Sequence, residues 1–223
     1  MITIGVGVSR VRNLLKAVKE DSFITDRFIY SVITKYAKMY IKREDDKNRI
    51  MRMSTLFSKI PCVELIETDA VEACCIGIST GCIIKRTKDR IPNLMDGSFG
   101  PIIRTVASLD LSEKVYITDP VTYLSITNSS NFKYNKTKYF WHLDGYLFFP
   151  NLDWEGVMID GIFEDSVAGF ACNSEDTCLV KQDQNLIIPD YLFAEIEQAV
   201  LNDMRGTLNI PQDPADDKQN SQR

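Results

Sequence analysis

The chain carries a single histidine, His142, set in the run Tyr139-Phe140-Trp141-His142-Leu143. A general base must reach a substrate proton, and a Cys–His nucleophile needs a thiol folded beside the ring. No cysteine lies near His142 in sequence, so a histidine between tryptophan and leucine reads as a packing residue of a strand. Carboxylates are more numerous: Glu64, Glu67, Asp69 and Glu72, then Asp153, Glu155, Asp160, Glu164 and Asp165. Carboxylates that clamp divalent cations cleave phosphodiesters, so a metal-dependent nuclease working near Glu64 to Glu72 is the enzymatic alternative. In a strand, however, Glu64 and Glu67 point to opposite faces, and charged strand edges that block stray pairing are the simpler reading.

Six cysteines, Cys62, Cys74, Cys75, Cys82, Cys172 and Cys178, contain no C-x₂-C pair. That spacing argues against zinc. With no apparent secretion signal, reduced buried thiols are expected. Gly5 and Gly7 lack the preceding strand that a phosphate-cradling loop requires. Neither a cofactor nor a metal is expected, and no residue is assigned to catalysis. The one nucleic-acid candidate is a basic stripe, Lys35, Lys38 and Lys42, at three- and four-residue spacing on one helix face. Without interleaved aromatics it would hold phosphates rather than bases, giving salt-sensitive, sequence-nonspecific DNA binding. A solvated helix face is its plainer role.

Positioning these residues falls to a mixed set of elements. Val8, Val11, Leu15 and Val18 recur at helical spacing and predict a first amphipathic helix. Thr25 or Asp26 can cap a second one, which runs to about Arg43 with Ile29, Val32, Ile33, Tyr36, Tyr40 and Ile41 on its apolar face. From Pro61 to about Val180 the signals turn to strands: Cys62–Ile66, Val71–Ile78, Cys82–Lys85, Ile102–Ser108, Val115–Thr118, Val121–Ile126 and Gly156–Phe163. The polar stretch Arg86–Gly100 reads as a long loop. Tyr139–Pro150 is the best-specified element, two aromatic runs around Asp144-Gly145, a pair suited to a type I′ hairpin turn. Its Tyr139, Trp141, Tyr146 and Phe148 are candidates for an interface with another sheet or chain. Pro189 and Gly206 suit the two ends of a final helix carrying Leu192, Ile196 and Val200. Residues 212–223 are too polar to order alone.

The fold class expected is α+β: N-terminal helices packed on an antiparallel β-sheet assembly, then a C-terminal helix and a polar tail. One domain spans 1–208, helical over 8–50, β-rich over 61–180 and helical over 189–206, with 209–223 as a flexible tail. At 223 residues and 44% hydrophobic, the chain can bury a real core. No apolar run is long enough to suggest a membrane span. A net charge of −5 conceals an imbalance, since residues 1–60 carry a net +7 and residues 61–223 a net −12. Such polarity suits a basic face for nucleic acid, or head-to-tail contact between identical subunits.

Several of these segments together resemble a known group. The helix with Asp26-Arg27-Phe28-Ile29-Tyr30, the hairpin continuing into Gly161-Ile162-Phe163-Glu164-Asp165, and a last helix entered by Ile188-Pro189-Asp190 and left through Ile210-Pro211-Gln212-Asp213 resemble structural proteins of tailed bacteriophages. The likeness is greatest to neck and ring components of crAss-like phages and covers residues 22–50 and 139–215. It implies a non-enzymatic virion protein made in the host cytoplasm. It further implies a cyclic, dodecameric homo-oligomer in the head–tail connector, stacked on the portal protein beside other neck and tail ring proteins. The resemblance implies no membrane contact, and only nonspecific contact with the genomic DNA that passes through the ring.

Overall fold

A computed structural model describes residues 2–16, 24–69, 84–129, 136–164, 167, 170 and 184–208. They fall into two compact units, one built from the two ends of the chain and the other from residues 41–180. The strand expected at Val71–Ile78, the first two residues of Cys82–Lys85, five of the six cysteines and the tail after residue 208 lie outside the described residues.

In the terminal unit, helix α1 (Ile4–Lys16) starts four residues earlier than its apolar spacing suggests. The Thr3 hydroxyl accepts from the Val6 N–H at 3.4 Å and begins the helix there. Helix α2 (Asp26–Asp46) is capped by Thr25, whose hydroxyl accepts from the Phe28 N–H at 3.3 Å. Its Ile29, Val32, Ile33 and Ala37 are buried. The last helix, α4 (Asp190–Leu208), buries Leu192, Phe193, Ile196, Val200 and Met204. It continues through Gly206 where a stop was expected, since a glycine that favours a helix end does not enforce one. Packing of α1 on α4 is close: a Cβ on Gly7 would sit 3.4 Å from the Phe193 ring, and 2.8 Å from Leu186 in the segment before α4.

The second unit is a closed seven-stranded barrel with helix α3 (Pro120–Thr127) on its flank. Strands β1 (Ser58–Thr68), β2 (Ile84–Thr87), β5 (Ile103–Ser108), β6 (Lys114–Ile117), β7 (Lys138–Leu143), β8 (Tyr146–Pro150) and β9 (Gly156–Gly161) are ordered β1-β2-β8-β7-β6-β5-β9 around it. The short strands β3 (Asp96–Gly97) and β4 (Gly100–Pro101) form a separate hairpin. Closure depends on β1, whose first half pairs with β9 and whose second half pairs with β2. An irregularity between Ile60 and Val63 holds Pro61, whose missing N–H a regular central ladder would not tolerate. Side chains fill the interior: Ile60, Leu147, Phe149, Val157 and Ile159 are fully buried, with Phe140 and Val106 beside them. Each such side chain contributes roughly 1.5–3 kcal/mol through burial.

Two expectations change. The sheet assembly is a barrel, and it is not wholly antiparallel, because β6 and β7 run parallel. A parallel neighbour cannot be reached by a tight turn and needs a crossover. Part of that crossover is α3 (Pro120–Thr127), where the β-branched run Val121–Ile126 suggested a strand. Asp119 caps α3, accepting from the Thr122 N–H at 2.9 Å, and Pro120 opens its first turn. The polar stretch 86–100 also carries more structure than a loop, holding the end of β2, a bridge from Leu94 to Phe163, and β3.

Candidate assembly interface

Strands β7 and β8 form the expected hairpin, with Asp144 at φ 50° and Gly145 at φ 82° in its turn. Alternation sends Phe140, Leu147 and Phe149 into the barrel and Tyr139, Trp141, Tyr146 and Phe148 to its outer face. That face is largely covered by the chain itself. Trp141 and Phe148 are buried and stacked, with ring centres 6.4 Å apart. Tyr123 of α3 lies 5.9 Å from Trp141 and 6.0 Å from Tyr139, and its hydroxyl accepts from Asn151 Nδ2 at 2.8 Å. Tyr146 lies beneath two guanidinium groups, Arg86 at 4.4 Å and Arg90 at 5.7 Å from its ring centre. Only Tyr139 and Tyr146 of the four remain partly exposed.

The basic stripe is present on α2, but it is not a row of free cations. Lys35 meets Asp203 of α4 at 3.5 Å and lies 5.2 Å from the Tyr36 ring centre. Lys38 and Lys42 continue the same face one and two turns on, Lys38 half-buried and Lys42 exposed.

The residues that could do chemistry are spread apart. His142 is partly buried on β7. Burial pushes its imidazole below the ordinary 6.5, and the charges of Asp96 and Asp144 pull partly the other way. Glu64 forms a 2.6 Å ion pair with Lys88 on the barrel surface; the barrel is closed and pairs β1 on both sides, so Glu64 is not the edge charge expected. Among the described residues no group of three or more His, Cys, Asp or Glu side chains is placed to hold a metal. Cys62 is disulfide-bonded, contrary to the expectation of reduced thiols. Spacing along the chain does not report which thiols the fold brings together, and its partner lies outside the described residues.

Surface that sequence reasoning missed lies elsewhere. Tyr116 and Ile117 on β6 and Val121 on α3 are more than half exposed and close along the chain, an apolar outcrop beside the crossover. On the β3–β4 hairpin, Phe99 is 95% exposed. This hairpin is held firmly. The Ser98 N–H donates to Asp45 at 2.9 Å and the Ser98 hydroxyl to Asp46 at 2.5 Å. A Cβ on Gly97 would meet the Asp45 carboxylate at 2.3 Å, so only glycine allows this approach. At its base, Met95 and Ile102 exchange hydrogen bonds with Ile162 and each other at 2.8–3.0 Å. A sequence signal for the hairpin existed in Asp96-Gly97-Ser98-Phe99-Gly100-Pro101, a turn-rich run containing one lone aromatic.

The terminal unit has a cleft of about 560 Å³ between α1 and α2. Ile4, Val8 and Tyr30 contribute its apolar and aromatic surface, and Arg12, Asp26 and Arg27 its charge. Arg12 pairs with Asp26 at 2.5 Å and donates to the Ile24 carbonyl at 3.1 Å.

The family described as phage tail ring protein 2 (CrAss_Ring_2) matches residues 7–222, nearly the whole chain. The chain belongs to this family. No curated protein matches it. Membership makes it a structural subunit of a phage tail ring, a component of the virion that assembles with other tail proteins. The match takes in residues 51–138, which the sequence resemblance did not reach, and so includes β6, α3 and the Phe99 hairpin. None of the described helices of this family member is long and apolar enough to cross a membrane.

Proposed function

We propose that this chain forms a closed homo-oligomeric ring, dodecameric and portal-proximal, in the neck that connects head and tail, and that the ring lines part of the DNA channel without enzymatic activity. The observation that carries the reading is a barrel packed solid with its own side chains that still exposes Phe99, Tyr116, Ile117 and Val121. Large apolar groups left in water mark protein contacts rather than a reaction site. Subunits of a ring meet through two different surfaces of the same chain, and the opposite net charges of residues 1–60 and 61–223 favour such head-to-tail contact.

In this arrangement the stripe Lys35, Lys38 and Lys42 faces the lumen, where it meets DNA phosphates, or the acidic flank of the next subunit. Tyr139 and Tyr146, with the outcrop at Tyr116, Ile117 and Val121, meet the portal protein and neighbouring ring proteins. Native mass spectrometry of the purified chain, alone and with portal protein, tests this. The expected result is one cyclic stoichiometry that binds the portal; a monomer indifferent to the portal overturns it.

A further inference from the structure

The barrel unit exposes an aromatic knob, Phe99, and the terminal unit has an open cleft between α1 and α2. We propose that Phe99 of one copy inserts into the α1–α2 cleft of the next and is the principal anchor between neighbouring copies of this chain. The inference rests on the ring reading and deepens it by naming both halves of the contact. Knob and cleft belong to different compact units of the chain, as a head-to-tail contact requires.

The placement of Phe99 is built rather than incidental. Asp45 and Asp46 stand at the C-terminal end of α2, where the helix dipole disfavours negative charge. Both are used to hold Ser98, and Gly97 is compressed against Asp45. A turn fixed in this way presents its aromatic ring without an ordering cost at the moment of binding. Buried aromatic residues in fitted pockets dominate interface energies.

The cleft fits the knob. Its volume of about 560 Å³ accommodates a phenyl ring with the turn that bears it. Ile4 and Val8 lie largely buried behind its wall, and Tyr30 offers an aromatic edge and Arg27 a guanidinium that can lie over the incoming ring. Asp45 and Asp46 hold Ser98 next to Phe99, while the cleft carries Arg12 and Arg27 together with one carboxylate, Asp26, which Arg12 already pairs. Arg27 therefore offers a cation to the acidic residues beside the knob, which favours this docking.

The test uses the full chain. Phe99→Ala is compared with the wild type for its fold, by circular dichroism melting, and for assembly, by native mass spectrometry across a concentration series. Because Phe99 lies in solvent, melting of the subunit is expected to stay unchanged. The concentration for half-assembly is expected to rise about tenfold or more, the effect of losing one interface anchor. In parallel, p-benzoylphenylalanine in place of Phe99 is photolysed in rings mixed from ¹⁴N- and ¹⁵N-labelled copies. Crosslinks from 99 to residues 4–12 or 26–30 of the other isotope support the proposal. Crosslinks to any other surface or within one copy, or unchanged assembly by Phe99→Ala, overturn it while leaving the ring reading intact. Failure of the wild type to assemble overturns both.

Discussion

Arg104 donates from Nε and Nη2 to the same oxygen of Asp160, Oδ2, at 2.9 and 2.5 Å, leaving the buried Oδ1 without a hydrogen-bond partner among the described residues. The arrangement follows from a register shift in β5, where Ile103 and Thr105 oppose the consecutive residues Gly161 and Asp160 of β9 and Arg104 is the extra residue. A bulge of this kind re-aims the side chain that it carries. The guanidinium also lies 4.6 Å from the Phe57 ring centre, which roofs the pair. Asp160 is 3% exposed. Removing its partner strands a buried charge, so Arg104→Ala is expected to destabilise the barrel by about 3–5 kcal/mol. The double change Arg104→Met with Asp160→Leu should recover much of that loss. Chemical denaturation of the two variants and the wild type checks both statements.

Tyr123 joins α3 to the barrel. It is fully buried, touches Tyr139 and Trp141, and accepts a hydrogen bond from Asn151. Tyr123→Phe removes only the hydrogen bond and should cost about 1 kcal/mol. Tyr123→Ala also opens a cavity against Trp141, with an expected cost of about 3–5 kcal/mol. Near-ultraviolet circular dichroism should lose the Trp141 signal in the alanine variant before global unfolding, because the ring is no longer held from one side.

The parts of this fold that local chemistry decides are the parts legible in sequence. Asp144-Gly145 sets a hairpin because only a few residues accept the left-handed backbone at both turn positions, and the structure has both there. Thr25 fixes the start of α2 by the same kind of local hydrogen bond. What depends on distant partners was not legible. Barrel closure requires β1 to bend between β9 and β2, and nothing within β1 announces its neighbours. Val121–Ile126 has the composition of a strand, and the Asp119-Pro120 cap together with the parallel β6–β7 pairing outweighs that preference. The hairpin aromatics were visible as packing residues, but Trp141 and Phe148 pack against the chain's own Tyr123 and one another. Phe99 escaped notice because a single aromatic in a polar turn has no periodicity to mark it.

Gly145 tests the hairpin directly. Its φ of 82° is a conformation that residues with a Cβ adopt at a cost, and a Cβ here would rest against Arg90 at 3.7 Å without collision. The penalty in Gly145→Ala is therefore backbone strain, about 1–2 kcal/mol. Gly145→Asn should cost less, because asparagine tolerates the left-handed region. Thermal melting of the two variants should rank them in that order, and an alanine variant as stable as wild type would show that the turn relaxes.

Acid stability should report two groups in separate windows. Burial lowers the His142 pKa in the fold, so below the ordinary 6.5 the unfolded chain takes up the proton first. Stability then falls as pH drops through 6.5 and levels off once the folded imidazole is protonated. Asp110 behaves as a depressed carboxylate. The Ser108 and Ser112 hydroxyls and the Ser112 N–H donate to it, lowering its pKa from 3.8 to about 2. Its contribution is complete above 3.8 and is lost between 3.8 and about 2. Urea midpoints measured across pH should show both slopes in the wild type. His142→Gln should flatten only the slope below 6.5, and Asp110→Asn should reduce only the one below 3.8, where Asp119, also held low by Thr122, keeps a share. If Asp110→Asn left the acid slope unchanged, the serines would not be holding the ionised carboxylate in the turn between β5 and β6.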